Sequence, residues 1–313
     1  MKTLAQLKDK QIPYKIANGA GNEVNIFELG TLLHFETHSW QARKRLSNDV
    51  AKKISKKSKG EWVRANKILI NRDHLTEMNS VITAARNYVW NVSNPFPIKG
   101  INFIAIAIAE EANKKLQEFS KQLQKHVKPF VEQYGKHIRE AKKQLEKDNL
   151  FNEEDYPNPN EIGAKFWIYW RMFDMVIPSN ATDAIYKEES KRIKSLFTQT
   201  RTETILALRE GFGKIVTHLA ETMSGKVKGE KKRLRPEAIE KVMEFFDTFQ
   251  YKNVFKDTEL NGLVTQAKDL LIDVEPKDLK NDESLTKLIN TELDDIKTQL
   301  DSSVETFKRK LTF

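Results

Sequence analysis

The sequence predicts a mostly α-helical protein, an elongated antiparallel helical hairpin or bundle with a small β element at one end. Two long stretches carry apolar residues at alternating steps of three and four, a third stretch of similar length lies between turn signals, and one short segment is dense in aromatic and β-branched residues. The first two observations give helices with one apolar face, and the last gives a strand.

The elements follow in chain order. Leu32 to Trp40 alternates enough to read as a strand, and Val92-Ser93-Asn94-Pro95-Phe96-Pro97 reads as a loop. From about Asn102 to Asn149 a long helix is expected. Within it Leu116, Phe119, Leu123, Val127, Phe130, Tyr134, Ile138, Ala141 and Leu145 form an eleven-residue repeat. Such a period lies close to that of a straight helix, so the helix packs on its partner with little supercoil. Pro129 removes one backbone hydrogen bond and should kink it about halfway. Asp155-Tyr156-Pro157-Asn158-Pro159-Asn160 ends the helical run, and Phe166 to Phe173 then reads as a second strand, able to pair with the first.

A third long helix is expected from about Thr182 to Met223, with Ile193, Leu196, Leu208, Phe212, Ile215, Leu219 and Met223 on its apolar face. Its length matches that of 102–149, which makes the two the arms of the expected hairpin. Ser224 to Gly229 reads as a loop. Pro236 opens a short amphipathic helix through Phe249, and Leu260 to Leu271 gives another. The eleven-residue rhythm returns in Leu285, Ile289, Leu293, Ile296, Leu300, Val304, Phe307 and Leu311, so a terminal helix from about Glu283 to Lys310 should bury this stripe on another helix, in the chain or in an oligomer. The expected organisation is a basic region 1–100, a helical hairpin region 101–253 and acidic helices over 254–313.

Composition narrows the function classes. With 39% hydrophobic and 31% charged residues, the 313-residue chain is neither apolar enough for a membrane protein nor depleted enough for disorder. No cysteine is present, which excludes disulfides, thiolate zinc sites and cysteine nucleophiles. Met1 to Tyr14 lacks a signal-peptide core and no run approaches the roughly 20 apolar residues of a membrane span, so a cytoplasmic protein without membrane partners is expected. The net charge of +9 is uneven: residues 1–100 carry 17 Lys and Arg against 8 Asp and Glu, and residues 254–313 carry 9 against 13. Different ends should therefore meet different partners.

No catalytic constellation stands out, and no catalytic residue, metal or cofactor is expected. His34 and His38, with Glu36 between them, make a metal half-site without a third ligand, and the structural reading of this apolar strand is the stronger one. His74, His126, His137 and His218 are isolated in sequence. Asn18-Gly19-Ala20-Gly21 lacks the strand and third glycine of a dinucleotide site, and Gly225-Lys226-Val227-Lys228-Gly229 lacks the Walker order. Glu153, Glu154 and Asp155 form an acidic cap before a proline turn.

The segment Trp40 to Lys67 departs furthest from a neutral surface. It holds Arg43, Lys44, Arg45, Lys52, Lys53, Lys56, Lys57, Lys59, Arg64 and Lys67, ten cations against Asp49 and Glu61, and Trp40 and Trp62 bracket it. Cations neutralise phosphates and an aromatic ring stacks on an unpaired base, which suits single-stranded nucleic acid, DNA or RNA. A second basic run, Lys226, Lys228, Lys231, Lys232, Arg233 and Arg235, offers a further backbone contact. The alternative for both is a solvated lysine-rich face.

Phe35-x4-Trp40-Gln41-Ala42-Arg43-Lys44-Arg45-Leu46, Asn66-Lys67-Ile68-Leu69-Ile70, Ala85-Arg86-Asn87-Tyr88 and Leu150-Phe151-x3-Asp155-Tyr156-Pro157 together resemble a helical protein family of phages and integrative elements. That family is a domain of unknown function, often encoded near a MoxR-type AAA ATPase and a von Willebrand A-type protein. The likeness runs from roughly residue 30 to 275, with Asn94-Pro95-Phe96 standing where family members carry Leu-Pro-Trp. It implies a mobile-element origin, a helical fold, and partnership with DNA or with an ATPase by analogy. The expectation is a non-enzymatic accessory protein that binds nucleic acid non-specifically, with a protein partner or self-association through the C-terminal helices. The alternative is a scaffold or adaptor, partnering a AAA ATPase.

Overall fold

The structure, a computed structural model, describes residues 15–17, 23–50, 64–176, 181–223, 226–227, 230–231, 236–272, 274 and 282–311. The protein is mostly α-helical with a small β element. In chain order come β1 (Lys15–Ala17), β2 (Glu23–Asn25), one helical turn (Ile26–Leu29), β3 (Gly30–His38), β4 (Arg43–Arg45) and β5 (Asn66–Ile68). Helix α1 (Thr76–Val92), β6 (Ser93–Pro95), β7 (Ile101–Ala105), the long helix α2 (Ile106–Leu145) and β8 (Trp167–Phe173) follow. The last part holds α3 (Asp183–Met223), β9 (Lys226–Val227), β10 (Glu230–Lys231), α4 (Pro236–Lys252), α5 (Thr258–Leu271) and α6 (Glu283–Leu311).

Two strands expected to pair do so. The four-stranded sheet has the order β6-β7-β3-β8, which sets Gly30–His38 beside Trp167–Phe173. β7 runs antiparallel to β3, with Gly30 opposite Ala105 and Leu32 opposite Phe103. The expected helix start at Asn102 is thereby corrected to Ile106. Ile101 to Ala109 alternates apolar and small residues, a pattern that serves either period, and the exposed ladder of β3 captures its first part as a strand. The expected loop at 92–97 likewise contains β6, which lies at the sheet edge where Pro95 is tolerated.

The chain divides into two compact units. One comprises Met1–His34, Trp90–Glu110 and Met172–Phe313, the other Phe35–Val89 and Glu111–Arg171. In the second, the eleven-residue stripe of α2 is covered: Leu123, Val127, Phe130 and Tyr134 pack with Leu75, Met78, Ile82 and Ala85 around α1 and with Phe166 and Ile168 of the β8 segment. Met78, Ile82, Ala85 and Val89 sit at steps of four, three and four, which places one apolar face on α1. α2 continues through Pro129.

In the first unit α3 packs with α6, α4 and α5. Leu208 to Met223 share one core with Val242, Phe246, Leu260, Ile289, Leu293, Ile296 and Leu300. Arg209 contacts Ser303 and Glu210 contacts Lys308, while Leu219 and Met223 share their core with Ile289. Only antiparallel helices satisfy both ends. The hairpin therefore differs from the expected pairing of 102–149 with 182–223: residues 111–145 belong to the other unit, and the partner of α3 is the terminal helix. The physical reason is that the α6 stripe needed a cover of its own length, and α3 supplies it within the chain.

Candidate functional site

The basic segment is organised by an antiparallel ribbon in which Arg43 faces Ile68, Lys44 faces Lys67 and Arg45 faces Asn66. Successive side chains of a strand point to opposite faces, so Lys44 and Lys67 share one side and Arg43 and Arg45 the other. On the lysine side Lys67 is paired internally. Lys67 Nζ lies 2.5 Å from Asp155 Oδ2 and donates to the Leu150 carbonyl at 2.5 Å, and only 9% of its side chain is exposed. Lys44 reaches the other Asp155 oxygen at 3.8 Å. The acidic turn expected to be a cap therefore holds Asp155 as the counter-ion of the ribbon, and Asn152 caps that turn by accepting from the Glu154 N–H.

The arginine side is open. Arg43 and Arg45 are exposed, as are Asn66, Ile68 and the flanking Arg64. Among the described residues no carboxylate pairs with Arg43 or Arg45, and Arg45 meets Asn48 at 3.4 Å. Trp40 sits at the foot of the ribbon, half-buried, with its ring edge-on to Tyr134 at 5.8 Å. Its contacts are those of a core residue. Lys52, Lys53, Lys56, Lys57, Trp62, Lys232, Arg233 and Arg235 lie outside the described residues, and Lys231 is described only as backbone, paired with Lys226 in a two-strand hairpin.

The second cluster was not foreseen. His74, on the short 3-10 turn before α1, and His137 and Glu140, one turn apart on α2, each place a ligand atom within 4.8 Å of the others. Glu140 Oε2 lies 3.5 Å from His74 Nε2 and 4.0 Å from His137 Nδ1, while Oε1 faces Lys136 at 3.9 Å. The His137 ring stacks with His74, 3.8 Å between centroids, and with Phe130 at 5.6 Å. Burial, then the neighbouring His74, lowers the His137 pKa from 6.5, so the neutral imidazole is favoured. The expectation that His74 and His137 are isolated is corrected: 62 residues of chain lie between them, and the packing of α1 on α2 joins them.

Of the His34 and His38 pair, read as structural from the sequence, His38 is tied to its surroundings. His38 Nδ1 lies 2.7 Å from the Lys165 carbonyl and its ring stacks on Trp167, so this nitrogen is engaged.

No family model, curated protein or solved structure matches the chain. The sites therefore stand on their own geometry.

The first unit also holds an open cleft of about 400 Å³ lined by Trp90, Asn94, Thr204, Glu244, Phe245 and Lys252. Its polar groups are largely tied to protein: Asn91 donates to Glu244 at 3.1 Å, and Asn94 donates to the Lys252 carbonyl at 3.1 Å. Lys252 Nζ lies 5.9 Å from the centre of the Trp90 ring, and burial lowers its pKa. Among the described residues no helix is long and apolar enough to cross a membrane.

Proposed function

We propose that this is a non-enzymatic nucleic-acid-associated protein, an accessory factor of a mobile element, which contacts phosphates without sequence preference and favours single strands. One observation carries the reading. The ribbon sorts its cations by face: Asp155 pairs with the buried Lys67 and lies 3.8 Å from Lys44, while Arg43 and Arg45 stand exposed without a carboxylate partner among the described residues. An unneutralised pair of guanidinium groups on a narrow ribbon is suited to polyanion contact, because each releases a counter-ion from a phosphate. In sequence, the strongly basic stretch 52–59 lies between the two strands of this ribbon.

The test is a salt titration of binding to a single-stranded oligonucleotide by the parent and by Arg43→Gln/Arg45→Gln. A slope of log affinity against log salt that flattens by roughly 1.4, about 0.7 for each lost phosphate contact, supports the reading. Undetectable binding by the folded parent at low salt refutes it.

A further inference from the structure

We infer that His74, His137 and Glu140 form a site for one divalent transition-metal ion, with Zn²⁺ the best match. The inference is independent of the nucleic-acid reading, since the cluster belongs to the α1–α2 packing and not to the ribbon.

Donor chemistry gives the first reason. Two imidazoles and one carboxylate are the set that borderline cations favour, whereas Mg²⁺ and Ca²⁺ take oxygen ligands almost exclusively. In the absence of any cysteine, nitrogen and oxygen are the donors this chain offers such an ion.

Distance gives the second. Metal bonds of about 2.0 to 2.2 Å in tetrahedral array put neighbouring ligand atoms about 3.3 to 3.5 Å apart. The carboxylate to imidazole separations here are 3.5 and 4.0 Å. The two rings, now at 29° to each other, must splay so that both nitrogens face one point. His74 is able to do so, because its side chain is 31% exposed while that of His137 is held at 6%.

The third reason is an unmet need. His137 Nδ1 is buried and has no hydrogen-bond partner among the described residues, with Glu140 Oε2 at 4.0 Å. A buried ring nitrogen without a partner is costly, and a metal bond from a neutral imidazole removes that cost. Lys136 lies 3.9 Å from the far carboxylate oxygen, which leaves Oε2 to the histidines. Three protein ligands leave a fourth position for water, and the ion would clamp the turn that carries His74 onto α2.

The experiment titrates the full chain with Zn²⁺ against a chromophoric chelator, and with Co²⁺ read by its visible absorption. His74→Gln and Glu140→Gln alter partly exposed side chains, so both variants should fold. The expected result is one equivalent per chain, a tetrahedral or five-coordinate Co²⁺ spectrum, and affinity lower by at least about tenfold in each variant, the least that loss of even an outer partner costs. Zn²⁺ should also raise the melting temperature of the parent and leave that of the variants unchanged. His126→Gln and His218→Gln serve as controls and should bind as the parent does. Absence of stoichiometric binding, or binding that both cluster variants retain at parental affinity, overturns the inference.

Discussion

Arg209 grips Asp257 with two parallel hydrogen bonds, Nε to Oδ2 at 2.7 Å and Nη2 to Oδ1 at 2.9 Å, and both side chains are buried. The same guanidinium donates to the Ser303 carbonyl at 3.2 Å and to Glu259 at 2.8 Å, while Asp257 accepts the Leu260 N–H that opens α5. One charge pair thus ties α3, the start of α5 and α6. Four of the five guanidinium N–H groups thus have acceptors, and such added hydrogen bonds are what make a buried ion pair tolerable.

Breaking that pair from one side should be severe. Arg209→Met strands a buried carboxylate and should lower unfolding free energy by about 3–5 kcal/mol, whereas Glu259→Gln, at an exposed position, should cost less than about 1 kcal/mol. Urea denaturation of the three proteins measures both. Equal effects from the two substitutions would show that the network does not act through Asp257.

The two faces of the ribbon should separate by phenotype. Lys67→Met removes the counter-ion of a largely buried Asp155, so it should lower thermal stability and leave the salt slope of oligonucleotide binding nearly unchanged. Arg43→Gln/Arg45→Gln should do the reverse. A stability loss in the arginine variant equal to that of Lys67→Met would contradict the assignment of faces.

Gly30→Ala should destabilise by about 1–3 kcal/mol, the usual cost of overpacking. A Cβ there would lie 2.3 Å from the Ile104 carbonyl oxygen and 2.8 Å from the Phe103 ring, and the first of these is backbone of the paired strand. Chemical denaturation checks it; a neutral result would mean that β3 and β7 part more readily than their ladder indicates.

Alkaline pH should loosen the second unit. Burial, then the nearby Asp155, raises the Tyr156 pKa from 10.0 to about 12, and its hydroxyl donates to the Leu69 carbonyl at 2.8 Å. The folded value lies above the unfolded one, so this contribution is whole below pH 10.0 and is lost as pH rises from there through about 12. Denaturation midpoints measured across that window should fall, and Tyr156→Phe should fall less steeply. Parallel curves for the two would rule Tyr156 out as the source.

Local periodicity was the legible part of this sequence. The stripes of α2 and α6 show because every third or fourth residue is apolar over many turns; Met78, Ile82, Ala85 and Val89 carry the same signal for α1 over a shorter run, where no helix was expected. Partner choice was not legible, since the faces of α2, α3 and α6 are chemically alike and any two could have paired. The site was half legible. Arg43 to Arg45 announced themselves by charge, but strand alternation divided them from Lys44 only once the pairing with Asn66 to Ile68 was known. His74 and His137 gave no signal, because a cluster assembled by helix packing leaves no local spacing to read.

The borders of the two units fall inside regular elements: between His34 and Phe35 within β3, Val89 and Trp90 within α1, Glu110 and Glu111 within α2, and Arg171 and Met172 within β8. Neither unit is a contiguous stretch of gene. Recombination that shuffles coding segments at a single junction cannot deliver one unit without tearing a strand or helix of the other. Any contiguous segment that carries the ribbon and the histidine cluster therefore also carries parts of α1 and α2 that the other unit uses.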